Sequence, residues 1–118
     1  MYPPDQIELL RSIYGEGVEE RSDGQDHYIF IPGLKMPQGC TPERTDALFC
    51  LQSFAPSCGG YTSRLFLRDR VASPHIPNNF SSYLIAAETW HAYSHNNVQH
   101  GPYPEMIMNH LRGLLVAC

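Results

Sequence analysis

Apolar residues return along this chain in two rhythms, a three-to-four-residue one at each end and a strand-like one between. Near the start, Pro3 and Pro4 precede Asp5, after which Ile7, Leu10, Ile13 and Tyr14 recur at helical spacing until Gly15 and Gly17 end the run. Residues three and four apart share one face of an α-helix, so this segment predicts a short amphipathic helix. Residues 18–21 read as a short strand entering Ser22-Asp23-Gly24, whose Asp-Gly pair is a hairpin signal. His27-Tyr28-Ile29-Phe30-Ile31 is rich in strand formers, and Pro32-Gly33 is expected to stop it. Residues 46–51 scarcely alternate in polarity, which predicts a third strand buried on both faces, with Cys50 in the core.

Residues 54–60 are turn-rich, and the stretch 61–71 then alternates. Leu65, Leu67 and Val71 point one way, and Arg64, Phe66, Arg68 and Arg70 the other, which predicts a half-exposed strand with a cationic outer face. Ser73-Pro74-His75-Ile76-Pro77-Asn78-Asn79 is read as irregular, since prolines remove donors and restrict the residues before them. At the far end Ile107, Leu111, Leu114 and Leu115 line one side of residues 105–116, with Pro104 suited to a first helical turn. The expected order is a helix, about four strands in an antiparallel meander, a long irregular crossing and a helix, which is an α+β class.

The chain has 118 residues, enough for one domain over 1–118 that buries about two-thirds of its unfolded surface. Hydrophobic content of 42% with 17% charged residues describes a globule rather than a disordered chain. A formal net charge of −4 argues against general affinity for a phosphate backbone, so no nucleic-acid partner is expected. The four cysteines, Cys40, Cys50, Cys58 and Cys118, include no CxxC pair and are too sparse for a secreted disulfide framework, which favours reduced thiols and a cytoplasmic setting. No run reaches the roughly 18 apolar residues of a membrane span, and no basic start leads into an apolar run, so neither a membrane partner nor a targeting signal is expected.

The densest chemistry lies in Thr89-Trp90-His91-Ala92-Tyr93-Ser94-His95-Asn96-Asn97, which holds the sole tryptophan and two of the six histidines. His91 and His95 would share a face of a helix and, with His75 or His100, are zinc-ligand types, but no acid accompanies them at a recognised spacing, so neither metal nor cofactor is expected. His95 with Ser94 can instead polarise a bound chain terminus or an attacking nucleophile, or simply hold a loop through its carbonyls. Trp90 suits a packing anchor under a loop as well as a partner contact. The Arg64, Arg68 and Arg70 stripe reads as a solvated face or as a docking surface for an acidic partner.

Several of these features fall in a familiar order. Leu34-Lys35-Met36-Pro37-Gln38-Gly39 is similar to an apolar-x-x-Pro-x-Gly turn, Ala47-Leu48-Phe49-Cys50-Leu51 to an apolar third strand, and Phe54-Ala55-Pro56 with Gly60-Tyr61 to a Pro and Gly-Tyr-Pro loop. Thr89-Trp90 is followed by Tyr93 and Ser94, then by a histidine and Gly101-Pro102. With the leading helix, the meander and a proline-opened last helix, the chain resembles the ubiquitin-conjugating (UBC) superfamily, most of all its bacterial branch, prokaryotic family E. The resemblance implies a UBC-like fold with an N-terminal helix, a four-stranded antiparallel meander sheet, an extended flap and a C-terminal helix. It implies a conjugating-enzyme-like component of a bacterial ubiquitin-like modification system, with a ubiquitin-like protein and an activating-type enzyme as partners. The leading helix, through Ile7, Leu10 and Arg11, would meet the activating enzyme, and Trp90, Tyr93, Ser94 and His95 would form the functional surface.

Two departures stand out. His95 lies five residues past Trp90, where the family pattern has six, and the flap position of the nucleophilic cysteine is occupied by Tyr83-Leu84-Ile85-Ala86-Ala87. His75-Ile76-Pro77-Asn78 imitates the family's His-Pro-Asn turn imperfectly. A thioester carrier needs an exposed thiolate-forming residue, which alanine does not provide. Cys58, beside two glycines, is the remaining candidate nucleophile, or else a spectator in its loop. The alternative is a catalytically inactive adaptor that binds the ubiquitin-like protein or the activating enzyme non-covalently.

Overall fold

Helix α1 (Pro4–Tyr14) starts where the sequence places it, because Pro4 lacks an N–H in a turn where that donor would have no helical partner. Asp5 in the first turn and Arg11 in the last complement the helix dipole. Gly15 ends the helix at φ 106°, donating its N–H to the Arg11 carbonyl at 2.8 Å. The computed structural model describes residues 2–56, 61–72, 80–93 and 100–116. After α1 come strands β1 (Glu19–Asp23), β2 (Asp26–Lys35), β3 (Arg44–Leu51), β4 (Ser63–Leu67), β5 (Phe80–Ile85) and β6 (Glu88–Tyr93), then helix α2 (Tyr103–Val116). The class is α+β, and no helix among the described residues is long and apolar enough to cross a membrane.

The six strands form one antiparallel sheet in the order β1-β2-β3-β4-β6-β5. The expected meander is present as β1 to β4, but four strands is too few. In place of an extended flap, residues 80–93 make a further hairpin, whose first strand lies at the sheet edge and whose second inserts beside β4. Aromatic and β-branched residues at Tyr83, Ile85, Thr89 and Trp90 favour that pleated arrangement. Pro32-Gly33 does not end β2 either. The strand passes through it by a register shift between Ile31 and Leu34, with Gly33 at φ 60° and its N–H donated to Asp46 Oδ1 at 2.9 Å. A bulge absorbs the missing proline donor that would otherwise break the ladder.

Both faces of the sheet are buried, which explains the near-continuous apolar run in β3. On one face Ile29, Ile31, Phe49, Leu65 and Leu67 pack with Ile7 and Leu10 of α1 and with Tyr103, Met106, Ile107 and Leu111 of α2. On the other face Tyr28, Phe30, Leu48, Cys50 and Phe66 pack with Ile85, Trp90 and Ala92. Cys50 is a core residue as expected, at 0% exposure. Among the described residues, no helix residue belongs to this second cluster; the curl of the sheet encloses it. The β5–β6 turn reaches the β1–β2 turn, where Ala86 N donates to Asp23 Oδ2 at 3.0 Å.

That curl overturns the expected cationic outer face. All five residues of β4 are buried, and Arg64 is only 7% exposed. Its guanidinium carbon lies 4.4 Å from the Tyr61 ring centroid, 5.0 Å from Tyr83 and 5.5 Å from Phe66. Aromatic faces carry negative quadrupole density, so they accept a guanidinium that a purely aliphatic cluster would exclude. Arg68 and Arg70 lie beyond the strand, and Arg70 is exposed.

Candidate functional site

Of the residues singled out for function, the hairpin β5–β6 carries Trp90, His91 and Tyr93. Its register pairs Tyr83 with Trp90, Ser82 with His91 and Ile85 with Glu88 across a two-residue turn at Ala86-Ala87. Both alanines have positive φ, 51° and 65°. That is the handedness a two-residue hairpin demands, usually met by Asn-Gly because side chains other than these resist it. Period two then sends Trp90 and Ala92 into the second cluster, while His91 lies on the opposite face and shares a 3.2 Å hydrogen bond with Ser82 Oγ through Nδ1.

Trp90 is 1% exposed. The Arg68 guanidinium carbon sits 4.4 Å from its ring centroid, and Arg68 donates from NH1 to Glu88 Oε2 at 2.8 Å. Both charged side chains are over one-third exposed, so the ion pair orients more than it stabilises. Arg68 Nε is buried with no hydrogen-bond partner among the described residues, a consequence of laying the guanidinium against the indole. Between the two roles open to Trp90 in the sequence, the structure places it as a packing anchor.

The segment 83–87, which holds alanine rather than cysteine, is part of this hairpin. Tyr83, Leu84 and Ile85 belong to β5, and Ala86-Ala87 forms a tight turn with methyl side chains. Among the described residues the thiols are Cys40 at 4% and Cys50 at 0% exposure, both within the core clusters. Ionising either would strand a charge in apolar surroundings. Cys58, Ser94 and His95 lie outside the described residues, as do His75, Asn78 and Cys118. Tyr93 ends β6, and its side chain is likewise outside the description. His91 is on a strand, so the shared helical face with His95 does not form from its side, and no cluster of three potential metal ligands occurs among the described residues.

On α1, Ile7 and Leu10 face the core. Arg11 bridges outward and inward, donating from Nε to the Val18 carbonyl at 3.0 Å and pairing with Glu8 at 2.6 Å. The outward side of the helix presents Leu9 and Ile13, 40% and 53% exposed. Any docking through this helix uses those two side chains rather than Ile7 and Leu10.

Two features escaped the sequence pattern. Ser63 Oγ and His110 Nε2 are 2.8 Å apart, joining β4 to α2, with the Phe49 ring 6.4 Å from the imidazole. A hydroxyl hydrogen-bonded to an imidazole is the first half of a nucleophile–base arrangement. Here the residues are 2% and 3% exposed, so the pair links core elements and has no access to substrate. The signal for it was helical: His110 follows Met106 and Ile107 by four and three residues, on the buried side of α2. The second feature is a cleft of about 1130 Å³ between the end of α1, the β2–β3 connection and α2, floored by Leu34 and Met36. Tyr14 at its border and Tyr103 both titrate above the ordinary phenol range, Tyr14 through burial and Tyr103 through burial first and then the negative charges of Asp5 and Glu20. Against known proteins, no family model, curated sequence or solved structure matches this chain.

Proposed function

We propose that this domain is a ubiquitin-conjugating-like component of a bacterial ubiquitin-like modification system that works as a non-covalent adaptor for the ubiquitin-like protein or its activating enzyme. Support for the UBC-like reading comes from the ordered motifs, from Leu34–Gly39 through Thr89-Trp90 to Gly101-Pro102, together with a leading helix, a meander and a closing helix. The observation that carries the adaptor role is the Ala86-Ala87 turn. Where a conjugating enzyme needs a nucleophile, this chain has a two-residue hairpin connection with no functional group on its side chains. The cysteines on described elements are buried.

The test is to incubate the protein with a bacterial activating-type enzyme, its ubiquitin-like protein and ATP, and to resolve the products with and without reductant. The adaptor reading expects no reductant-sensitive adduct, together with saturable binding of one of the two proteins by calorimetry. A reductant-sensitive adduct that disappears in Cys58→Ala refutes the adaptor role and makes this a displaced thioester carrier. Neither adduct nor binding refutes the UBC-like function altogether.

A further inference from the structure

The cleft beside α2 lies on the opposite side of the sheet from the Trp90 cluster, and its chemistry is of a different kind. Its exposed apolar surface comes from Ile13 of α1 and Met108 of α2, over a floor that includes the buried Met36 of the β2–β3 connection. Ile13 and Met108 are 53% and 45% exposed, and unlike Leu84, which stands out by itself on the β5–β6 hairpin, they meet across one cleft. Leu9, one turn before Ile13 on the outward side of α1, extends the apolar surface. Methionine adapts its shape to what it meets, which suits it to surfaces that accept varied side chains.

Charge distinguishes this cleft from a mere packing gap. The chain is acidic, with twelve carboxylates against eight Lys and Arg. Around the cleft the balance reverses: Lys35, Arg44 and Arg112 line it against Glu43 alone. Among the described residues, none of these three cations makes an ion pair. Arg44 donates from NH1 to the Gly33 carbonyl at 3.1 Å and Arg112 to Asn109 Oδ1 at 3.2 Å, neutral contacts that leave both charges uncompensated. Arg11, Arg21 and Arg68, by contrast, are each paired with a glutamate. A set of unpaired cations around an apolar floor is complementary to a ligand carrying carboxylates beside large apolar groups. The volume exceeds the usual range for small-molecule sites, about 300–1,000 Å³, and matches an extended segment better.

We propose that this cleft docks an acidic linear peptide segment of a partner protein, its apolar side chains seated against Ile13, Met36 and Met108 and its carboxylates paired with Lys35, Arg44 and Arg112. The inference rests on the cleft and its charge alone and stands whether or not the domain serves a conjugation system. The probe is a random twelve-residue peptide display library selected against the whole chain, followed by fluorescence polarisation of the enriched peptides. Enriched sequences are expected to combine Asp or Glu with Leu, Met or Phe. Lys35→Glu, Arg44→Glu and Arg112→Glu in combination should weaken their binding at least tenfold, as should Met108→Asp. Arg70→Glu, an exposed cation away from the cleft, should leave binding within twofold. All five substituted sites are exposed, and circular dichroism with thermal melting verifies that each variant is folded. The proposal is overturned if the enriched peptides show no acidic excess, if the triple variant binds them as well as the parent, or if no peptide is enriched. It is also overturned if sedimentation shows a dimer that Met108→Asp dissociates, since the occupant would then be a second copy of this chain.

Discussion

Replacing Ala87 by glycine should stabilise this protein, although glycine in a strand-rich domain ordinarily does the reverse. Ala87 sits at φ 65° in the β5–β6 turn. A side chain in that left-handed region costs about 1–2 kcal/mol through the approach of Cβ to the following carbonyl. Glycine removes that cost and adds about 0.5–1 kcal/mol by freeing the unfolded chain. The difference is a net stabilisation of about 0.5–1 kcal/mol, which for a domain of this size raises the melting temperature by about 2–4 °C. Ala86 is left unchanged so that the effect is read at a single position. The assay is urea unfolding followed by circular dichroism, where a higher midpoint at unchanged slope reports stability rather than a change in compactness. Ala72→Gly is the paired control: it is exposed, has no positive φ and bridges to Thr41, so it should destabilise by about 0.5–1 kcal/mol. The same chemical change must therefore give opposite signs at the two sites. If both variants lose stability to a similar degree, the left-handed turn is not the conformation of residues 86–87, and the hairpin that replaces the flap falls with it.

Trp90→Ala should cost about 3–5 kcal/mol, because it empties the centre of the second cluster and strips the indole from beneath Arg68; chemical denaturation monitored by circular dichroism measures it, and a loss below about 1 kcal/mol would place Trp90 at the surface. Ser63→Ala removes the hydroxyl from His110 and should cost about 1–3 kcal/mol by the same assay, with no loss expected if the pair is not formed. Tyr103 carries a raised phenol pKa in the folded state, so its contribution is complete below the unfolded value of about 10 and is lost as pH rises through the folded value. Stability should accordingly fall above about pH 10, and Tyr103→Phe should make that fall shallower; an identical alkaline profile in parent and variant would contradict the burial of the ring.

How legible the fold was depended on the range of the interactions that decide it. Helix α1 could be read from Ile7 and Leu10 with Pro4 before them and Gly15 after, since periodicity and capping are local. β3 was readable from its unbroken apolar run. The strand that passes Pro32-Gly33 was not, because the bulge there depends on Asp46, thirteen residues away, accepting the Gly33 N–H. The hairpin at 80–93 was missed because Ala86-Ala87 carries none of the turn chemistry that announces a hairpin. Of the candidate site, Trp90 stands out in the sequence as the sole tryptophan, but its burial arises from β4 and β6 lying side by side and from Arg68 covering the ring. Arg64 is the sharpest contrast: alternation put it on a solvated stripe, and the rings of Tyr61, Phe66 and Tyr83 enclose it.

The amino-acid sequence by itself determined the α+β class, the two helices, the apolar meander and the absence of a thiol between Cys58 and Cys118, because composition and short-range periodicity carry that information. Only the tertiary structure decided that the sheet has six strands and curls on itself, that Ile7 and Leu10 turn inward while Leu9 and Ile13 face out, and that Lys35, Arg44 and Arg112 gather around one cleft. The physical reason is sequence distance. Residues 13, 36 and 108 become neighbours through sheet register and helix packing, and no local pattern in the chain records that meeting.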